Sequence, residues 1–270
     1  MNFKVFCATI KKGIQIRIRA YPVSFMVGCI LTSFYTILGS YLMYHYFFLG
    51  QLSESFELNA RTTDYMSYAI VGSLMYQFIV RTCLNVSRTL ITELREGTLE
   101  SLMLAPFKRT SYFLGNMTMQ TILTIGETAV AAVIGIAFGF RISDFNLYHF
   151  IVAISLSLYG FFGLSLMLGC VMLYTRDTYI SQNTLFSIIF LVCGITFPKE
   201  ALPYCLQLFG NVIPVTDAVT LMRASLLGGL TDSEFLYLGL QEFILGTIYI
   251  VAGMPLMKHV EHIALEQMEG

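Results

Sequence analysis

The stretch from Ala20 to Ser53 contains no Asp, Glu, Lys or Arg residue. A helix needs about 20 consecutive apolar residues to cross the hydrocarbon layer of a membrane, so this stretch is long enough to span one. The whole chain is 56% hydrophobic and only 12% charged, whereas an ordinary soluble domain is about 25% charged. So little polar surface does not suit a soluble fold of this size. The sequence therefore predicts an all-α membrane protein.

Six segments are predicted to cross the membrane, at about residues 20–49, 65–87, 112–140, 147–174, 179–197 and 235–257. They form a single transmembrane domain over residues 20–258, with a polar tail at 259–270 behind it. The preceding segment, 1–19, places basic residues largely on one side of a helix and apolar residues on the other, which is typical of a helix in the membrane interface. The apolar side comprises Phe3, Phe6, Ile10, Ile14 and Ile18.

Residues 201–216, between the fifth and sixth predicted spans, are apolar but too few to cross the membrane. At a rise of about 1.5 Å per residue, a helix of this length falls short of the ~30 Å hydrocarbon layer. In addition, Pro203, Gly210 and Pro214 interrupt the segment. We therefore predict a re-entrant helical hairpin over residues 199–216, which requires other helices or a polar cavity to cover its broken backbone.

The Lys and Arg residues are distributed unevenly, and membrane proteins retain such residues on the cytoplasmic side. If the N-terminus is cytoplasmic, that side receives all of the 16 Lys and Arg residues except Arg61, Arg141, Lys199 and Arg223. Both termini and the charged segment at 88–109 are thus predicted to be cytoplasmic, and the hairpin is predicted to face outside. We expect a multi-pass protein of the plasma or inner membrane.

Small and charged residues inside the predicted spans give two further expectations. Ala131, Gly135 and Gly139 recur at every fourth position, a small-residue seam that lets membrane helices approach closely. Glu127 lies in the middle of a span, where a charge costs roughly 2.5–3.5 kcal/mol, so we expect it to face protein or a water-filled cavity. It is a candidate for translocation or gating, or else a packing residue. Arg81 is expected to reach the inner interface.

The polar residues give little support for catalysis by this chain. The four histidines do not form a metal-ligand set with carboxylates, and the sequence contains neither a GxxxxGK[ST] phosphate loop nor a dinucleotide fingerprint. A formal net charge of -1 without a basic patch gives no reason to expect a nucleic-acid partner. We predict no catalytic residue, no metal site and no cofactor bound by the chain itself.

The charged segment after the second predicted span carries the most information about function. Residues 91–116, ITELREGTLESLMLAPFKRTSYFLGN, resemble the cytoplasmic loop of type 2 ATP-binding cassette (ABC) exporter permeases. Residues 213–229, IPVTDAVTLMRASLLGG, are similar to the stretch before the last span of that family. The family also has the same order of elements: an N-terminal interfacial helix, six spans, a loop helix between spans two and three, and an outer hairpin before span six. The loop version at 95–100 looks more like that of the drug, antibiotic and peptide exporters than that of the polysaccharide exporters.

This resemblance implies a half-transporter whose ATPase is a separate chain. Two copies of the permease, or this chain and a paralogue, would form the pathway in the lipid bilayer. Two copies of the ATPase subunit would bind ATP and Mg2+. The resemblance implies a coupling helix between spans two and three that docks the ATPase, with the coupling residues Arg95, Glu96, Gly97, Thr98, Leu99 and Glu100.

Elementary physical chemistry is consistent with a turn and a short helix at this place. Gly97 permits a sharp change of direction, Thr98 can cap a following helix, and Glu100 favours the positive end of the helix dipole. Taken alone, a run of charges more often marks an ordinary solvated loop. The family resemblance reverses that preference.

Three functions stay open at this point. The first is ABC-driven export of an amphipathic small molecule, antibiotic or peptide, and the second is ABC-driven export of a lipid-linked polysaccharide. The third is a different class, an ion-coupled secondary transporter. It is weakened because the halves show no convincing inverted repeat and the spans contain few acidic residues.

Overall fold

The computed structural model of the protein describes residues 3–15, 22–47, 56, 59–62, 64–97, 109–175, 177 and 179–269. These ranges contain helices and no strand, so the protein is an all-α membrane protein. The α-helices are α1 (Phe3–Gln15), α2 (Pro22–Leu42), α3 (Tyr65–Arg95), α4 (Arg109–Ala137), α5 (Leu147–Thr175), α6 (Tyr179–Val192), α7 (Tyr204–Val212), α8 (Val215–Leu227) and α9 (Asp232–Glu269). A π-helix, Met43–Phe47, continues α2, and a short 3₁₀ helix, Lys199–Ala201, precedes α7.

Four helices of the described ranges are long and apolar enough to cross a membrane. They are the Tyr65–Arg88 part of α3, the Ser111–Ala137 part of α4, all of α5, and the Asp232–Val260 part of α9. The bent pair of α7 and α8 would make a fifth span if it crosses as one unit. Helix α2 has 21 residues without a charge, and its length of about 31 Å also matches the hydrocarbon layer. The exact six-span arrangement stays a prediction.

Helix α5 lies at the centre of the bundle, where α3, α8 and α9 pack around it. Its contact with α9 depends on glycine residues. A Cβ atom on Gly163 would lie 2.8 Å from the Tyr249 Cβ atom, and one on Gly246 would lie 2.8 Å from the Tyr159 ring. Residues seven apart share one face of a helix. Gly239, Gly246 and Gly253 of α9 have this spacing. This spacing is not among the sequence predictions above.

The predicted third span ends earlier in the structure, at Ala137. Gly139 has a φ of 96°, and the Phe140 N–H group donates to the Gly135 carbonyl at 2.9 Å. This is the hydrogen bond of a Schellman cap, which favours glycine at the left-handed position. Ala131 and Gly135 are buried, as the predicted seam requires. Gly139 closes the helix instead of extending the seam, so that part of the prediction is wrong.

The predicted fifth span, 179–197, contains a shorter helix than expected. Helix α6 ends at Val192 after 14 residues, which is a length of about 21 Å. Gly194 follows with a φ of 70°, a left-handed conformation that stops the helix. Helix α6 is therefore too short to cross the ~30 Å hydrocarbon layer by itself.

Helices α7 and α8 form a pair bent by 86°. Pro214 explains the break, because proline lacks a donor and disfavours helical geometry in the residue before it. Ile213 accordingly has an extended conformation, with φ -91° and ψ 121°. The bent pair continues beyond the hairpin predicted at 199–216 and ends at Leu227.

Helix α9 runs from Asp232 to Glu269 with Pro255 inside it. The predicted sixth span, 235–257, and the predicted tail, 259–270, therefore share one helix as far as Glu269. Its 38 residues correspond to about 57 Å, so α9 extends well beyond a hydrocarbon layer. Charged residues outside the membrane do not end a helix whose backbone hydrogen bonds are internal.

Candidate functional site

Helix α3 continues into the predicted coupling segment, 88–109, and ends at Arg95. The Glu96 N–H group donates to the Thr92 carbonyl at 2.9 Å, and Gly97 then adopts a φ of 70°. No described atom lies within 4 Å of a Cβ atom placed on Gly97. The left-handed backbone conformation by itself favours glycine at this position. Gly97 has the left-handed conformation that a sharp change of direction uses, and the change of direction itself stays a prediction.

The predicted coupling residues fall into two groups. Arg95 and Glu96 are exposed beside Gly97 at the end of α3. The connection between α3 and α4, residues 98–108, lies outside the described residues. It includes the remaining three, Thr98, Leu99 and Glu100. The docking role of all six residues stays a prediction.

Glu93, in the last turn of α3, joins three helices near this connection. Its carboxylate accepts a hydrogen bond from the Tyr112 hydroxyl of α4 at 2.6 Å and pairs with the Lys12 ammonium group of α1 at 3.2 Å. The Glu93 side chain is 9% exposed and that of Lys12 is 58% exposed. We call α1, the last turn of α3 and the first turn of α4 the coupling end.

Helix α1 also packs directly on α4. Thr9 is buried, and a Cβ atom on Gly115 would lie 3.0 Å from the Thr9 Cβ atom. One turn further along α1, a Cβ atom on Gly13 would collide with the Met119 side chain. The predicted interfacial helix is thus attached to the bundle, because small residues allow close contact on both sides.

Glu127 of α4 forms an ion pair with Arg81 of α3, with 3.3 Å between Oε2 and Nε. The Glu127 side chain is 1% exposed, so it faces protein as predicted. Arg81 is 33% exposed and its guanidinium group takes part in this ion pair; that it reaches the inner interface stays a prediction. This contact ties α3 to α4 between their two ends. Its partners are far apart in the sequence, so residue spacing could not reveal it.

The distribution of Lys and Arg residues assigned Arg223 of α8 to the outer side. In the structure Arg223 is buried within the bundle and only 8% exposed. Its Nε and Nη1 groups donate to the carbonyls of Tyr68 and Gly194 at 3.2 and 2.6 Å, and Nη2 donates to the Ile195 carbonyl. The guanidinium carbon lies 3.5 Å from the centre of the Tyr68 ring. We call α7, α8 and residues 193–203 the hairpin end.

A cavity of about 230 Å³ lies at the hairpin end. Its lining includes Tyr68, Cys193, Arg223 and Arg61. Arg61 hydrogen-bonds to Glu234 at 3.0 Å, and this bond raises the pKa of Arg61 above its ordinary value. The cavity is smaller than the roughly 300–1,000 Å³ of sites for drug-sized ligands.

Two more acidic side chains are buried, namely Asp217 of α8 and Glu242 of α9, at 1% and 0% exposure. Across the described ranges, none of their carboxylate oxygens has a hydrogen-bond partner. Gly160 of α5 makes room for Glu242, because a Cβ atom at that position would collide with the carboxylate. The absence of a side chain at Gly160 therefore lets an acidic group sit between α5 and α9.

The charged contacts described above connect helices to one another. In the part of the chain that the structure describes, no group of three or more His, Cys, Asp or Glu side chains is arranged to hold a metal ion. Charge-assisted hydrogen bonds are among the stronger polar contacts in proteins. At the coupling end, such contacts of Glu93 hold α1, α3 and α4 together.

Comparison with known proteins assigns this architecture to a family. The family model described as ABC-2 type transporter matches residues 4–227. None of the curated proteins compared with the chain matches it. The match includes α1 from its second residue, α2 to α8 and the whole coupling segment, and α9 lies beyond it. The protein is a multi-pass permease component that associates with an ABC ATPase. The chain belongs to the ABC-2 type transporter family.

Proposed function

We propose that this chain is the permease subunit of an ATP-driven exporter that moves an amphipathic small molecule, antibiotic or peptide out of the cell. The family match supports a permease role. The observation that carries the coupling part of the proposal is the arrangement around Glu93. It joins α1, α3 and α4 at the place where residues 98–108 connect two helices of spanning length.

The motor of the exporter is a separate ATPase subunit. This chain contains no phosphate loop of the GxxxxGK[ST] type, so ATP and Mg2+ bind in the partner. Two ATPase copies work with two permease copies, or with this chain and a paralogue. The protein resides in the plasma membrane with both termini in the cytoplasm, as the distribution of Lys and Arg favours.

The coupling segment passes a displacement of the ATPase to α3 and α4. The Gly97 turn redirects the chain at the end of α3, and Leu99, Leu102 and Leu104 supply an apolar docking surface within the connection. The Glu93–Tyr112 hydrogen bond and the Arg81–Glu127 ion pair then make α3 and α4 move together. Burial and pairing favour this bracing role for Glu127 over direct contact with substrate.

The test compares a Glu100→Arg variant with a Glu57→Arg variant in the predicted outer loop. Reversing a charge at an interface disturbs both register and approach, so Glu100→Arg should impair ATPase binding or coupling. Glu57→Arg makes the same change at the other predicted side of the membrane and should leave both intact. Copurification of the ATPase, ATP hydrolysis and substrate export are measured on the same preparations.

A Gly97→Pro variant provides a second perturbation of the coupling segment. Proline fixes φ near -65°, whereas Gly97 has a φ of 70°, so the turn cannot form. If Glu100→Arg and Gly97→Pro both keep full ATPase binding and coupled export, the coupling role is wrong. Export that survives disabling the phosphate loop of the partner ATPase would instead favour the secondary transporter.

A further inference from the structure

Helix α3 reaches both the coupling end and the hairpin end. It contains 31 residues without a break, which is a rod of about 46 Å. Tyr68, in the first turn, contacts Arg223 at the hairpin end. Glu93, in the last turn, contacts Tyr112 at the coupling end. About 38 Å of continuous helix separates these two residues.

The Arg223 clamp, meaning Arg223 with the carbonyl groups of Tyr68, Gly194 and Ile195, connects three elements at the hairpin end. Gly194 and Ile195 follow the end of α6 and are buried, so their carbonyl groups need hydrogen-bond donors from the protein. A guanidinium group offers five donors in a fixed planar fork, so one side chain satisfies two of these carbonyls and still reaches α3. The clamp therefore holds α8 and the end of α6 on α3.

Gly72 of α3 gives the clamp its space. A Cβ atom on Gly72 would collide with the Ile195 carbonyl oxygen and with Nη2 of Arg223. Gly72 lies one turn after Tyr68, so both residues face the hairpin end from the same side of α3. The surface of α3 is thus shaped to accept the broken end of α6 together with the arginine that binds it.

We infer that Arg223 is a positioning residue that holds the hairpin end closed on α3 until α3 is displaced from its coupling end. This inference rests on the proposed function, because it identifies where the motion of the coupling segment acts. Displacement of α3 pulls the Tyr68 carbonyl and ring away from the guanidinium group. The cavity lined by Cys193 and Arg223 then opens.

The chain contains a native reporter for this opening. Cys193 lines the cavity next to Gly194 and is 1% exposed, so its thiol is protected while the clamp is closed. Cys205 of α7 is exposed and shows whether a reagent reaches the hairpin end. We use two variants of the chain. Each variant retains one of these two cysteines, and the other five cysteines are replaced by Ser. Labelling of Cys193 then reports opening of the cavity, and labelling of Cys205 reports access of the reagent to the hairpin end.

The experiment measures labelling by a membrane-impermeant maleimide on the complex of permease and ATPase in intact cells. Cys205 should react at once under all conditions. Cys193 should react slowly in resting complexes and faster during ATP turnover. With Arg223→Gln, Cys193 should react at least about tenfold faster without turnover. A tenfold change in the opening equilibrium requires less free energy than one charge-assisted hydrogen bond contributes. Substrate exported per ATP should fall.

Arg61→Gln is the matched control, because Arg61 lines the same cavity but pairs with Glu234. It should leave Cys193 protected. If Arg223→Gln does not assemble, Arg223→Lys keeps one buried donor group and should give a smaller increase in labelling. Unchanged Cys193 labelling and unchanged export per ATP in an assembled Arg223 variant would overturn the clamp. Failure of any ATPase to copurify with the unmodified chain would instead contradict the proposed function.

Discussion

The contact between Glu93 and Tyr112 gives a quantitative prediction for the coupling end. Both side chains are buried, and the hydroxyl of Tyr112 donates to the carboxylate at 2.6 Å. A hydrogen bond to a charged group contributes about 1.5–3 kcal/mol to stability. The Lys12 ammonium group lies 3.2 Å from the same carboxylate but is 58% exposed, so solvent reduces that pair to about 0.2–1 kcal/mol. The hydrogen bond should therefore exceed the ion pair.

Two double-mutant cycles test this order. The first combines Glu93→Ala with Tyr112→Phe, and the second combines Glu93→Ala with Lys12→Ala. The free energy of unfolding is measured by SDS titration in mixed micelles and followed by far-UV circular dichroism. We expect a coupling energy of about 1.5–3 kcal/mol in the first cycle and about 0.2–1 kcal/mol in the second. Equal coupling energies, or a larger value for Lys12, would refute the reasoning.

Three further predictions concern other parts of the bundle. Gly246→Ala should lower the free energy of unfolding by about 1–3 kcal/mol, because the added Cβ atom would press on the Tyr159 ring. Gly28 has open space around it, so Gly28→Ala should not lower the free energy of unfolding in the same titration. Glu127→Gln should lower stability by less than about 1 kcal/mol, since its guanidinium partner is one-third exposed, and the permease should still copurify with its ATPase. In intact cells an impermeant maleimide should label Cys205 and spare Cys7, both of which are exposed. The reverse pattern would invert the topology.

The predicted starts of three helices match the structure, whereas most of the predicted ends do not. The starts of α3, α5 and α6 coincide with predicted spans, because an uncharged run needs about 20 residues to cross the membrane. The ends depend on backbone conformation. Gly139 and Gly194 close helices through left-handed φ values of 96° and 70°, and hydropathy does not distinguish such a glycine from one that packs. Helix α9 continues past Met257 because helical hydrogen bonding does not require a membrane.

The charged contacts inside the bundle were harder to predict than the helices. The burial of Glu127 followed from the cost of a charge facing lipid, but its partner, Arg81, comes from another helix. The burial of Arg223 was not predicted because its hydrogen-bond partners are backbone carbonyl groups, which the amino-acid sequence does not mark. The packing of α9 could have been predicted from the sequence, because Gly239 and Gly246 are seven residues apart and so lie on one face of the helix.

Residues 98–108 are proposed to bind the ATPase, and photocrosslinking tests this contact most directly. A benzophenone amino acid is placed at Leu102 in the connection or, as a control, at Leu208, which is 58% exposed on α7 at the hairpin end. Irradiation of the intact complex should join the ATPase to the chain labelled at Leu102 and not to the chain labelled at Leu208. An ATPase adduct at Leu208, or the absence of an adduct at Leu102 in complexes that contain the ATPase, would contradict the proposed binding of the ATPase to residues 98–108.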